Sequence, residues 1–148
     1  MFVMLLVAIA LPTAAFASLG GTESSVDVDR VRMQGALLGI TRTDAYTVHE
    51  VRSATGTVVR EYVSPAGTVF GVVWQGAWMP DLQALLGTYF AEFQQASRVA
   101  STTRKSHGPL TIRTTDLVVH MSGHARAFSG TAYAAPLVPQ GIGIDTIK

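Results

Sequence analysis

The sequence predicts an α+β fold, with an antiparallel β-sheet of about six strands (βββ-α-βββ) and one long amphipathic helix packed on one face. Two observations support this fold class. Runs rich in β-branched and aromatic residues, separated by turn residues, lie between residues 46 and 74 and again between residues 110 and 133. The segment that joins these two groups has apolar residues at helical spacing.

The first seventeen residues have the pattern of a secretory signal peptide. An unbroken apolar run, Met1 to Leu11, precedes a breaker at Pro12 and a small-x-small triplet that ends at Ala17. The run is much shorter than the roughly 20 residues that span a bilayer, which favours cleavage after Ala17 over a permanent anchor. No Lys or Arg precedes the run, so the alternative is an N-terminal helix buried in the fold.

Cleavage at this point leaves residues 18–148 as a single domain, with a C-terminal tail from about residue 136. We therefore expect an exported protein, periplasmic or secreted, that has no stable membrane span after the leader is removed. The chain contains no Cys, so packing rather than disulfide bonds must stabilise the domain.

Composition and motifs exclude several classes of function. The 11 basic and 10 acidic residues are interspersed and give a net charge of +1, unlike the basic surface of a nucleic-acid-binding protein. The chain has neither a phosphate-binding loop nor a dinucleotide-binding glycine motif. His120 and His124 have the spacing of a helical zinc motif, but on a strand they lie about 13 Å apart, too far to share one metal. We expect no cofactor, no metal and no nucleic-acid partner.

The first predicted element after the leader is a short N-terminal helix. Ser25 can cap it, Val28 and Val31 form its apolar side, and Gly35 ends it after about Gln34. A run of three antiparallel strands follows from Tyr46 to Trp74.

Charges select the register of the first hairpin in this run. A two-residue loop would place Glu50 opposite Glu61, which is unfavourable. A three-residue loop at residues 54–56 instead pairs Glu50 with Arg60 and leaves His49 opposite Glu61. We predict the three-residue loop.

The second hairpin has Pro and Gly at favourable positions of a four-residue turn, residues 64–67, which brings Val63 opposite Thr68. One face of the sheet then carries His49, Val51, Val59, Glu61, Val63, Phe70, Val72 and Trp74, and the other carries Tyr46, Val48, Val58, Tyr62, Val69 and Val73. Neither face is polar throughout, and one helix covers only one of them. We expect the N-terminal helix, the C-terminal tail or another subunit to cover the second face.

The long helix is predicted to begin at Pro80-Asp81 and to end near Arg98. Its apolar stripe consists of Leu82, Leu85, Leu86, Tyr89, Phe90 and Phe93. The later strands are Leu110 to Arg113, Leu117 to Ser122 and Ala125 to Tyr133, with Gly123-His124 as a hairpin turn. Alternating isoleucines at 142, 144 and 147 indicate that the tail is either an added edge strand or a partner-binding segment.

Two residue pairs are candidates for a functional site. His49 and Glu61 face each other in the predicted register, and a carboxylate beside an imidazole is either an acid-base pair or a structural cross-strand contact. Trp74 and Trp78 bracket Gly76, where they line a ligand cleft or close the core. Neither pair comes with an assignable nucleophile, so no catalytic residue is assigned.

The segment YTVHEVRSATGTVVREYVSPAGTVFGVVWQGAWMPDLQALLG and the later segment LVVHMSGHARAFSGTAY resemble the bacterial domain-of-unknown-function family 2844. The resemblance covers nearly all of the chain after the leader. It implies a small exported protein and supplies no activity, ligand or catalytic residue.

The preferred functional hypothesis is a non-enzymatic envelope module that binds an envelope protein, or itself, through the second sheet face or the C-terminal tail. One alternative is a periplasmic hydrolase-type enzyme that uses His49 and Glu61 as an acid-base pair. Another is a small-ligand binder at Trp74 and Trp78.

Overall fold

The computed structural model describes residues 19–103 and 108–147, and the predicted signal peptide, residues 1–17, lies outside this part of the chain. The helices and strands in chain order are α1 (Ser25–Arg32), β1 (Ala36–Arg42), β2 (Thr47–Arg52), β3 (Val58–Val63), β4 (Val69–Gly76), α2 (Leu82–Leu86), α3 (Phe90–Thr103), β5 (Leu110–Arg113), β6 (Leu117–His124) and β7 (Ala127–Ala134). The strands form one antiparallel sheet in the order β1-β2-β3-β4-β7-β6-β5.

The predicted α+β class is therefore confirmed, with seven strands in the described ranges instead of about six. Strand β1 was missed. It follows α1 directly, has Gly39 at its centre and is exposed at every residue, so its sequence lacks the alternation of a half-buried strand.

Both early hairpins use the same three-residue loop. The first has the predicted register, with Glu50 opposite Arg60, and its Gly56 has a φ of 89°. The second has the same S-x-x-G-T pattern and the same bonds, in which the N–H of Ser64 donates to Thr68 and the N–H of Gly67 donates to Ser64. The predicted four-residue turn at residues 64–67 therefore forms, but the strand register beside it is shifted by one residue, and Val63 pairs with Val69 rather than Thr68.

A β-bulge beside this turn exchanges two residues between the faces of the sheet. The register shifts between Tyr62 and Val63, so β4 carries one extra residue at that point. Val69 therefore joins the core under the helices and Phe70 joins the opposite face, the reverse of the predicted positions. Because side chains alternate along a strand, one extra residue is enough to exchange them.

The helix face of the sheet is the face that carries Val59, Glu61, Val72 and Trp74, and it is covered by the three helices. The core between this face and the helices consists of the buried residues Leu19, Val26, Val59, Val63, Val69, Val72, Trp74, Leu85, Leu86, Phe93, Ile112, Leu117, Val119, Ala132 and Ala134. The Trp74 indole packs directly over Gly130 on the neighbouring strand β7. The buried Trp74 ring and the backbone of Gly130 are therefore in direct contact within the core.

The long helix is interrupted, which the sequence did not predict. Asp81 caps α2 as expected, and its side chain accepts hydrogen bonds from the N–H groups of Gln83 and Ala84. Gly87 has a φ of 51° and opens a short 3-10 turn before α3 begins. The predicted apolar stripe still faces the sheet, and α3 continues beyond Arg98 to Thr103.

Helix α1 forms where predicted but buries a different side. Val26 and Asp29 are buried and Met33 packs on the core, whereas Val28 and Val31 are exposed. The buried residues therefore follow an i, i+3, i+7 spacing that contains a carboxylate. The side of α1 predicted to be apolar from Val28 and Val31 is therefore its solvent-exposed side.

The tail face is the opposite face of the sheet, with Tyr62, Phe70, Val73, Val118 and Tyr133 at its apolar end. The C-terminal tail covers this end, with Ile147 buried and Leu137, Val138 and Ile142 half-buried against it. The tail thus forms neither an added edge strand nor a free segment. The rest of the tail face is polar and surrounds a concavity of about 380 Å³.

The hairpin between β6 and β7 turns two residues later than predicted. His124 pairs with Ala127, and Arg126 has a φ of 65° at the turn. Gly123 lies inside the strand pair, where a Cβ would come within 2.7 Å of the Phe128 ring. Its lack of a side chain therefore serves packing rather than a turn.

Candidate functional site

Two carboxylic acids lie together in the interior between α1 and the helix face. Glu61 is at the middle of β3 and is 0% exposed, and Asp29 on α1 is 1% exposed. Asp29 reaches the sheet because Val26, one turn earlier on α1, is anchored in the core. Buried carboxylates are rare unless they are paired or coordinate an ion, so this pair is the most unusual feature of the core.

The chain holds α1 over the sheet at both ends. Before the helix, the N–H of Gly20 donates to the carbonyl of Val69, and the N–H of Val69 donates to Gly21. After the helix, the N–H of Gly35 donates to the carbonyl of Arg30, and Gly35 sits against the Val51 side chain. Hydrogen bonds before α1 and packing after it therefore hold the helix in the position that places Asp29 beside Glu61.

None of the four carboxyl oxygens of the pair has a hydrogen-bond partner elsewhere among the described residues. The two carboxyl groups lie close enough to interact with each other, and this interaction raises the pKa of Glu61 and lowers that of Asp29. A shared proton satisfies one oxygen of each group and leaves the other two unpaired.

Burial is the main cause of raised pKa values in both acids. It raises the pKa of Asp29 to about 7, against the opposing effects of the Glu61 hydrogen bond and of the Arg32 charge. It also raises the pKa of Glu61 well above its usual range, and the Asp29 charge and hydrogen bond add to that effect. The folded chain therefore favours the protonated form of both acids more strongly than the unfolded chain does.

A cavity of about 220 Å³ opens beside Asp29. Most of its wall is apolar or carries hydroxyl groups, and it is lined by Asp29, Arg32, Met33, Ser53, Thr55, Thr57, Val59, Met79, Pro80, Asp81, Ala84 and Leu85. Of the two acids, Asp29 is among the residues that line the cavity and Glu61 is not, so a ligand in the cavity would meet Asp29 first.

The structure places His49 opposite Glu61 on neighbouring strands, as predicted, but gives each a different partner. The His49 ring Nε2 lies 2.9 Å from the Glu23 Oε1 atom, and Arg42 lies 3.9 Å from the same oxygen. Glu61 interacts with Asp29. Sequence reasoning missed Glu23 and Asp29, and the signal for Asp29 was its i+3 position after Val26.

The two candidate tryptophans are placed differently. Trp74 is fully buried in the core, and its indole nitrogen is without a hydrogen-bond partner among the described residues. Trp78 is 59% exposed, and its carbonyl accepts a hydrogen bond from the Thr57 hydroxyl. The structure therefore gives Trp74 a packing role and leaves Trp78 on the surface.

Strand β1 forms one edge of the sheet and pairs with β2 on one side only. Leu37, Leu38 and Ile40 are 45%, 44% and 40% exposed. Natural edge strands are usually short, charged or covered, because an open edge is a template for pairing with another strand. This edge is seven residues long, has a β-bulge between Leu37 and Gly39, and carries a charge only at Arg42.

Within residues 19–103 and 108–147, no helix has the length and apolar character needed to cross a membrane. The same ranges contain no group of three or more His, Cys, Asp or Glu side chains arranged to hold a metal ion.

Comparison with known proteins gives one informative match. The model of a family described as "Protein of unknown function (DUF2844)" matches residues 15–147. Neither a curated protein nor a solved structure matches the chain. Since the family match covers nearly all of the 148 residues, the chain belongs to the DUF2844 family of proteins of unknown function.

Proposed function

We propose that this protein is an exported, non-enzymatic interaction module of the cell envelope, and that its β1 edge pairs with β1 of a second copy. Export is supported by the signal-peptide pattern of residues 1–17. Pairing is supported by a single observation, the open seven-residue apolar edge at β1. The tail face is a weaker candidate because the C-terminal tail already covers its apolar end.

A second copy suits this edge because β1 is self-complementary. An antiparallel pairing centred on Gly39 sets residues 39–42 of one copy opposite residues 36–39 of the other, and it must accommodate the β-bulge that shifts the register of β1 between Leu37 and Gly39. Arg42 then lies opposite Ala36, at the far end from the other Arg42, so no like charges meet. The result is one continuous sheet across two chains.

A cysteine at the centre of this pairing tests the register directly, because the natural chain has no Cys. A Cβ at Gly39 would have nothing within 4 Å, so Gly39→Cys fits the fold. We expect Gly39→Cys to form a disulfide-linked dimer in the oxidising envelope, visible on non-reducing gels of whole cells. Val99→Cys, at an exposed position of α3, is the matched control and should stay monomeric.

A charge on the edge gives the converse test. We expect Ile40→Lys to convert the dimer to a monomer by light scattering and to leave the circular dichroism spectrum unchanged, because the side chain is half exposed. Val99→Lys adds the same charge elsewhere and should leave the dimer intact. A natural chain that stays monomeric at its highest soluble concentration would refute the self-pairing.

Hydrolytic chemistry at His49 and Glu61 has less support. The His49 ring bonds Glu23, and neither His49 nor Glu61 lines the cavity beside Asp29. A ligand cleft at the two tryptophans has less support as well, since Trp74 is fully buried and Trp78 is exposed.

A further inference from the structure

We propose that the cavity beside Asp29 is a binding site for a primary alkylammonium group, with its nitrogen against Asp29, the member of the Asp29–Glu61 pair that lines the cavity, and its hydrocarbon stem along the apolar wall. This site is separate from the β1 edge and does not depend on self-pairing. Its support comes from unpaired oxygens, from the shape and lining of the cavity, and from the surrounding charges.

The unpaired carboxyl oxygens lack a donor. Asp29 and Glu61 are buried and have no hydrogen-bond partner outside the pair among the described residues, so two of their four oxygens lack a donor even with one shared proton. Buried acceptors without donors are unfavourable by about 1–3 kcal/mol each. An ammonium group carries three N–H donors and a positive charge, so it supplies the missing hydrogen-bond donors and compensates the negative charge of the pair.

The cavity suits an ammonium group on a short hydrocarbon chain. Its volume of about 220 Å³ is below the roughly 300 Å³ at which pockets for drug-sized ligands begin. Met33, Val59, Met79 and Leu85 offer an apolar wall to a methylene chain. The described residues around the cavity include no group of three or more His, Cys, Asp or Glu side chains placed to hold a metal ion.

The charged groups around the pair favour a cation on balance. Asp81, at the start of α2, lines the same cavity and adds negative charge, while Arg32 on α1 opposes it. On the sheet side, His49 neighbours Glu61 across the strands and is held by Glu23. An entering cation therefore meets more acidic than basic groups.

Binding should release a proton, because the ammonium group takes the place of the proton that neutralises the pair. The pKa of Asp29 is about 7, so its ionised fraction rises about tenfold between pH 6 and pH 8. Affinity for the cation should rise by the same factor over this range. Titration in two buffers of different ionisation enthalpy should show the released proton.

The experiment is calorimetric titration of the purified protein with n-butylammonium, with n-butanol as the neutral control of equal length. We expect saturable 1:1 binding of n-butylammonium that is about tenfold tighter at pH 8 than at pH 6, and no binding of n-butanol. Nα-acetyl-lysine methylamide distinguishes two sources of the cation. If it binds and n-butylammonium does not, the natural ligand is a lysine side chain of a partner.

Variants on α1 locate the site. Asp29→Asn should weaken n-butylammonium binding by about tenfold or more, whereas Asp27→Asn, an exposed acid on the same helix, should leave it unchanged. Glu61→Gln provides a second, nearly isosteric test if Asp29→Asn does not fold. The monomeric Ile40→Lys variant should bind as the natural chain does, which separates this site from the β1 proposal.

Three results would overturn the proposal. These are no saturable amine binding at either pH, equal losses in Asp29→Asn and Asp27→Asn, and competition by calcium chloride at matched ionic strength.

Discussion

The Asp29→Asn variant is expected to be more stable than the natural chain at pH 8 by about 2 kcal/mol, and nearly equal to it at pH 4. An Asn keeps the size of Asp29 and its hydrogen bond with the protonated Glu61, but it has no charge to bury. The natural chain instead buries a carboxylate at pH 8. The gain in stability should accompany the loss of amine binding proposed above.

The pH dependence follows from the direction of the shift. Above pH 4 the unfolded chain releases the Asp29 proton, while the folded chain holds it up to about pH 7. The folded state then binds more protons than the unfolded state, so stability falls as the pH rises from 4 to 7. The full shift corresponds to about 4 kcal/mol, and we expect about half of it, because the effective dielectric constant at buried sites in proteins exceeds that of a purely apolar interior.

Urea unfolding of both proteins at pH 4, 6 and 8 measures this effect. The natural chain should lose stability across the series, and Asp29→Asn should lose less, because it lacks the Asp29 contribution and keeps only that of the buried Glu61. Asp27→Asn controls for the removal of a surface charge, because Asp27 is exposed and pairs only weakly with Arg30. Parallel pH profiles for the natural chain and Asp29→Asn would show that the pair is not buried as described.

The second large effect is expected from Gly130→Ala, which should destabilise the fold by about 3 kcal/mol or more. A Cβ at Gly130 would lie 2.8 Å from Cη2 of Trp74, and two further ring atoms would be closer still. The indole is fully buried and cannot move aside without displacing the core under α2 and α3.

A double-mutant cycle separates this clash from other effects of the added methyl group. Trp74→Phe alone should destabilise the protein because it leaves a cavity, but in the Gly130→Ala background it should recover part of the loss. Gly143→Ala, where a Cβ would meet nothing within 4 Å, should change the midpoint of urea unfolding very little. Additive effects of the two core changes would contradict the clash.

The sequence correctly predicted features that depend on residues close together in the chain, such as charge pairs across a hairpin and the residues of its turn. The pairing of Glu50 with Arg60 was enough to select the loop of the first hairpin. The turn predicted at residues 64–67 of the second hairpin does form, but the strand register after it was predicted one residue off. The resulting shift of one residue exchanged Val69 and Phe70 between the faces.

Features that depend on distant segments were not predictable in the same way. Asp29 was not associated with Glu61 because nothing local to α1 shows which side meets the sheet. Glu23 reaches His49 because residues 19–23 pair with the start of β4, a contact between segments far apart in the chain. Strand β1 lacks a buried side, so its sequence gave no periodic signal.

The claim that supports both the stability prediction and the amine site is that Asp29 and Glu61 share a proton at neutral pH. Carbon-13 NMR of the side-chain carboxyl groups, assigned with Asp29→Asn and Glu61→Gln, measures their protonation directly. We expect a titration midpoint near pH 7 for Asp29 and a midpoint well above the usual range for Glu61. Midpoints near 4 for both acids would show two separately solvated carboxylates and would contradict it.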